Sequence, residues 1–131
     1  MQFIPTIYLP GSCAAAISFY RNAIGAQLLS QLTAGPDSQN PGAEPKIIRA
    51  AMRIGEGVIY LSEGHHAAPA AFQGFSLALN VADHGEAERA MQALADGGTV
   101  QFPLRKTMLA DPFGKVIDRF GVHWSVEVPV S

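Results

Sequence analysis

Apolar and polar positions along this chain alternate in two kinds of run, one with period two and one with a period of about 3.6 residues. Phe3 to Leu9 is a short apolar run suited to a buried strand. Ser12 stands where a helix N-cap would, with its hydroxyl as the expected acceptor for a free backbone N–H. Cys13, Ala16, Ile17, Tyr20 and Ile24 then share one helical face, and Gly25 ends the helix. Ala26 to Thr33 reads as a strand. Ala34 to Pro45 holds three prolines and two glycines and reads as a loop. Lys46 to Ile54 and Gly57 to Ser62 read as strands joined by a tight turn at Gly55-Glu56-Gly57.

The same order then returns. Phe75, Leu77, Leu79 and Val81 alternate with Ser76, Ala78 and Asn80, a half-buried strand. Asp83 and Glu86 form a capping-box pair ahead of a helix with Ala87, Ala90, Met91, Leu94 and Ala95 on its apolar stripe. Gly97-Gly98 ends that helix. Thr99 to Pro103, Lys115 to Arg119 and His123 to Val128 are the expected last strands. The pattern predicts an α+β fold of two βαβββ repeats, about 70 residues apart, forming a curved mixed sheet (a half-barrel) with helices on the outer face. Repeat 1 covers about 1–63, a linker about 64–72 and repeat 2 about 73–131, within a single domain over 1–131. A curved sheet leaves a concave face, the default place for a ligand.

Composition narrows the function classes. At 131 residues, 48% hydrophobic and 15% charged, the chain belongs with globular domains that bury a core. A net charge of -2 with no basic run argues against a nucleic-acid partner. One cysteine, Cys13, excludes an internal disulfide and fits a cytoplasmic location. Leu9-Pro10-Gly11-Ser12-Cys13 has the look of a lipoprotein cleavage site, but no Lys or Arg precedes it, so no signal peptide is expected. No apolar run approaches the roughly 20 residues of a membrane span, and no membrane partner is expected.

The closing stretch, Phe113-Gly114-Lys115-Val116-Ile117-Asp118-Arg119-Phe120-Gly121-Val122-His123-Trp124-Ser125-Val126, resembles the final hairpin of the vicinal-oxygen-chelate superfamily, in its PhnB-like branch. Further landmarks are Gly11-Ser12-Cys13, Phe19-Tyr20, Ile24-Gly25-Ala26, Arg53-Ile54-Gly55, Val58-Ile59-Tyr60-Leu61-Ser62 and Gly74-Phe75-Ser76-Leu77, so the resemblance covers nearly the whole chain. Metal-dependent members of the superfamily draw four ligands from four strands. The resemblance puts those positions on Pro5, Tyr60, Ser76 and Ser125, none of them a strong divalent-ion ligand. It implies a homodimeric small-molecule-binding protein without a metal or other cofactor, as in bleomycin-resistance proteins. The alternatives are a metal-dependent lyase, isomerase or dioxygenase, and a structural or interaction module whose cavity is filled. Members of this branch also carry a ubiquinone methyltransferase name, which the sequence does not support: it has no glycine-rich strand-to-helix turn for a nucleotide-like cofactor.

If those four positions face the cavity, alternation adds Ile7, Leu9, Val58, Ser62, Ala78, Asn80 and His123 to its wall. Arg49 and Arg53 occupy the polar phase of their strand, opposite Ile48, Ala50, Met52 and Ile54. The candidate ligand contacts are therefore Arg49, Arg53, Tyr60, Ser62, Ser76, Asn80, His123 and Ser125. This set suits a small anionic or amphipathic ligand held by guanidinium donors. No catalytic residue is assigned. Arg53 has a second reading, an ion pair with Asp118. His65-His66 read as solvated linker, Cys13 as core, and Trp124 as facing the helix layer.

Overall fold

The structure is a computed structural model that describes residues 1–34, 46–64 and 71–130. The chain divides into two compact units, 1–70 and 71–131. The linker histidines and most of the proline-rich loop lie outside the described residues. Each unit is a βαβββ module with its own four-stranded mixed sheet, the two repeats that the sequence pattern predicts.

The first unit contains β1 (Thr6–Tyr8), α1 (Cys13–Ile24), β2 (Gln27–Thr33), β3 (Ile47–Ile54) and β4 (Gly57–Ser62). Its strand order is β1-β4-β3-β2, with β1 parallel to β4 and the others antiparallel. Gly25 ends α1 in the left-handed region at φ 68°, where only glycine is free of strain, and its N–H bonds the Tyr20 carbonyl. Ser12 occupies the N-cap position, but its side chain makes no capping bond. Cys13, Ala16, Ile17 and Tyr20 are buried against Ile7, Leu9, Ala50, Met52, Ile59 and Leu61, the apolar face of the sheet. Ile48 departs from the expected phase. It sits where the β2–β3 register shifts and is 48% exposed. Glu63 extends the sheet beyond β4: its N–H bonds the Ile47 carbonyl at 3.1 Å, and its carboxylate accepts from the Ile47 N–H at 2.9 Å.

The second unit contains β5 (Leu77–Asn80), α2 (His84–Ala95), β6 (Thr99–Arg105), β7 (Ala110–Ile117) and β8 (His123–Pro129), in the order β5-β8-β7-β6. Here the helix start is built as the sequence implies. Asp83 accepts from the Glu86 N–H at 2.8 Å, and Glu86 reaches back to the Ala82 N–H at 2.9 Å. Ala87, Ala90, Met91 and Leu94 are buried, and Trp124, Val116 and Val126 form the sheet face beneath them. The other end of α2 is tied down by Arg119, which donates to the Asp96 carbonyl at 3.1 Å and to its carboxylate at 3.0 Å. A cation at that place also complements the negative end of the helix dipole.

Two strands run further than the sequence pattern suggests. β6 continues through Pro103 to Arg105, and β7 begins at Ala110, before Pro112. Proline removes a ladder donor, which is tolerated on an edge strand or at a bulge. β6 is an edge strand, and Pro112 falls within a register shift between Ala110 and Phe113. At the far end, β7 stops at Ile117, and Asp118 and Arg119 belong to the turn.

Candidate functional site

In the first unit, the face opposite α1 is set by register. Ala51 pairs with Tyr60, Arg53 with Val58 and Leu32 with Arg49. Arg49, Tyr60, Ser62 and Arg53 therefore share one face, as their alternation implies. Arg49 reaches diagonally across the strand pair, and its guanidinium carbon stands 4.3 Å from the Tyr60 ring centroid. Such a contact holds the guanidinium by cation–π attraction while leaving N–H donors unused. Tyr60 is half-buried, and Arg49 and Arg53 are exposed. Among the described residues neither arginine has a carboxylate partner within ion-pair distance.

The first strand contributes differently from expectation. Thr6 pairs with Tyr60 and Tyr8 with Ser62, so Thr6 and Tyr8 lie on the arginine face. Ile7 and Leu9, expected on the cavity wall, are only 3% and 1% exposed and belong to the core under α1. Pro5 precedes β1 in that same phase. The wall of this face is thus Thr6 and Tyr8 in place of Pro5, Ile7 and Leu9. Ser62 is buried, and its hydroxyl accepts from the Gly64 N–H at 3.0 Å. Tyr8 packs over Gly64, where an added Cβ would come within 3.2 Å of its ring.

In the second unit, Ala78 pairs with Ser125, Asn80 with Glu127, Lys115 with Ser125 and Ile117 with His123. Asn80, His123 and Ser125 accordingly share the face opposite α2. Ser125 is buried, His123 is half-buried and Asn80 is exposed. Ser76 is exposed and lies one residue before β5, outside the sheet. Asp118 serves its own hairpin. One carboxylate oxygen accepts from the Phe120 and Val122 N–H groups at 2.9 and 3.1 Å, and the other from the Trp124 indole at 2.9 Å.

This face also carries residues that the sequence reading missed. Phe102 pairs with Lys115, and Arg105 with Phe113. Arg105 stands 4.3 Å over the Phe102 ring, and Phe113 meets that ring edge-on at 6.0 Å. Ending the strands at Pro103 and starting again only at Lys115 hid Arg105 and Phe113. Apolar residues on both sides of Pro103 could have extended the strand, but regular alternation would still have put Leu104, not Arg105, on this face; only the register shift brings Arg105 to it.

The four positions that the resemblance assigns to metal ligands carry Pro5, Tyr60, Ser76 and Ser125, which offer no carboxylate or imidazole, only neutral hydroxyls and a proline. Among the described residues no three of His, Cys, Asp and Glu gather as a ligand set. Nor does Cys13 offer a nucleophile: burial first, and the charge of Glu63 second, push its thiol up to about 11.

Residues 1–127 match the family described as 3-demethylubiquinone-9 3-methyltransferase. Protein YjdN of Escherichia coli is 31% identical over 98% of this chain and 95% of its own length. The crystal structure of protein PA1353 from Pseudomonas aeruginosa is 37% identical, with TM-score 0.85 and 98% of each chain covered. The PhnB protein of Bacillus cereus, at 20% identity, superposes with TM-score 0.82 over 98% of this chain and 99% of its own. At the level of fold alone, the fosfomycin resistance protein FosX of Listeria monocytogenes matches with TM-score 0.68 at 12% identity, over 99% of this chain and 93% of its own. The match over nearly the whole chain, together with the 31% identical relative, establishes that this chain belongs to the family described as 3-demethylubiquinone-9 3-methyltransferase, and its repeated βαβββ fold is the one that the PhnB protein and FosX also carry.

Proposed function

We propose that this protein binds a small anionic molecule on the first unit's open face, without a metal at Pro5, Tyr60, Ser76 and Ser125. The observation that carries the reading is Arg49 held over Tyr60 at 4.3 Å with no acidic partner among the described residues. An arginine that is positioned but not neutralised is prepared for an incoming carboxylate or phosphate, which accepts two parallel N–H bonds. The Thr6 hydroxyl and the Tyr60 phenol supply neutral donors on the same face. Arg53, four residues along the same strand face, adds positive charge.

Methyl transfer, which the family's description names, finds little support in this chain. Both sheets are small and mixed, and β1 is followed by Leu9-Pro10-Gly11-Ser12, not by a glycine-rich phosphate-binding turn. FosX has been crystallised with manganese, but the positions that the resemblance assigns to metal ligands carry Pro5, Tyr60, Ser76 and Ser125 here. The test is a thermal-shift screen of small carboxylates and phosphates, with elemental analysis of protein purified without chelator. A ligand should raise Tm in the parent protein and not in Arg49→Ala. Equal stabilisation of both, or one tightly held transition metal per chain, would refute the reading.

A further inference from the structure

The second unit carries its own cationic and aromatic platform, built from residues to which no role has been given. Phe102, Arg105, Phe113 and Lys115 lie on the face opposite α2, and the register shift between Phe102 and Arg105 is what brings Arg105 there. Without that shift, Arg105 would fall in the opposite phase, with Leu104 taking its place. Leu104 instead packs on the helix side: a Cβ added at Gly114 would touch both Leu104, at 3.0 Å, and Met91 of α2, at 3.1 Å.

We infer that this platform is a binding site for an aromatic carboxylate. Phe102 and Phe113 are half-buried and edge-to-face at 6.0 Å and 69°, which leaves part of each ring available for a third aromatic ring. Arg105 sits over Phe102 at 4.3 Å, so its charge is held at the border of the aromatic surface. Lys115 stands in register with Phe102 on one side and Ser125 on the other, adding a second positive charge and a neighbouring hydroxyl. Among the described residues neither Arg105 nor Lys115 has an ion-pair partner within 4.0 Å. Glu127 shares this face, in register with Phe113 and Asn80, and limits the net charge to about one positive unit. A ligand with one flat ring and one negative charge matches that balance, whereas a polyanion would meet Glu127.

The test uses the full-length chain, labelled with ¹⁵N and titrated with benzoate. The amide signals of Phe102, Arg105, Phe113 and Lys115 should shift together and saturate. Cyclohexanecarboxylate, with the same charge and no π-face, should bind several-fold more weakly. Arg105→Ala should weaken benzoate roughly tenfold, as loss of a charge-assisted pair does. Arg105→Lys should recover only part, because the planar fork is gone. Arg105 is exposed, and unchanged Trp124 fluorescence would confirm that each variant is folded. Arg49→Ala should leave these shifts intact, which separates this site from the one proposed on the first unit. Shifts confined to Arg49 and Tyr60, no saturation by roughly tens of millimolar, or equal affinity of the folded Arg105→Ala protein would each overturn the assignment.

Discussion

Trp124 and Asp118 are joined by a 2.9 Å hydrogen bond from the indole N–H to a carboxylate that is itself buried. The same carboxylate accepts two backbone N–H groups of the turn between β7 and β8. A large ring under α2 is thereby tied to the shape of the final hairpin. Replacing Asp118 with Ala should strand two buried donors and a partly buried one and cost about 3 kcal/mol or more, at about 1–3 kcal/mol for each unsatisfied buried group. Trp124→Phe should cost less than Trp124→Ala, for which about 3–5 kcal/mol is expected. Urea unfolding of the three variants checks the order.

The two helix starts should respond differently to alanine. Asp83 makes a side-chain capping bond and Ser12 does not. Asp83→Ala should cost about 1 kcal/mol, and Ser12→Ala only a few tenths. Denaturant midpoints compared at equal m-value measure the difference.

Two glycines beside Asp118 have different reasons to be there. A Cβ at Gly98 would fall on the Ile117 carbonyl oxygen, a backbone atom that cannot step aside. Gly98→Ala should cost about 3 kcal/mol or more through overpacking. Gly121 has φ 86° but open space around it, with the nearest atom, in Phe72, at 3.8 Å. Gly121→Ala should cost about 1–2 kcal/mol from the left-handed conformation alone. Thermal unfolding of both proteins separates collision from strain.

Cys13 makes stability depend on alkaline pH. The folded thiol holds its proton to about 11, above the ordinary value of 9.0, so the native state binds more protons than the unfolded chain between those values. Stability from this group is complete below pH 9 and declines as pH rises toward 11. Cys13→Ala should flatten that decline. Alkylation by iodoacetamide near neutral pH should be slow in the folded protein and fast after unfolding.

On the first unit, Tyr60→Leu should remove the ring beneath Arg49 and cost about 0.5–1 kcal/mol of stability, as exposed cation–π contacts do. Tyr60→Phe should leave stability nearly unchanged. Once an anionic ligand is found, Tyr60→Phe should weaken it by about 0.5–1.5 kcal/mol, one neutral hydrogen bond. Arg49→Ala should weaken it by about 2–5 kcal/mol where the pair is desolvated. Calorimetric titration of the variants gives these values directly.

How far the sequence could be read depended on which forces act locally. The β3–β4 hairpin is set by its own residues: Ile54 pairs with Gly57, and Gly55 takes φ 57°, as the Gly-Glu-Gly turn implies. The shared face of Arg49 and Tyr60 followed from alternation on two regular strands. Alternation failed where the strand was short. β1 has three residues, and the isoleucine of Thr6-Ile7-Tyr8 faces the helix, a choice made by the core and not by any local signal. It failed again at Pro103 and Pro112, where an edge position and a bulge made tolerable what would break a central strand. Ser12 had the right residue type in the right place, yet its side chain makes no capping bond.

The irregular outer strands have a consequence for how the chain behaves among its copies. β2 and β6 are each the last strand of their sheet on one side, and both carry register shifts, at Leu28/Ser30 and Leu32/Thr33 in the first and on either side of Phe102 in the second. A strand offered by another molecule needs an even row of N–H and C=O groups to zip onto. These margins present a broken row, and in β6 Pro103 brings no donor at all. The bulge that turns Arg105 toward Phe102 thus also makes the edge of the sheet a poor template, discouraging runaway stacking.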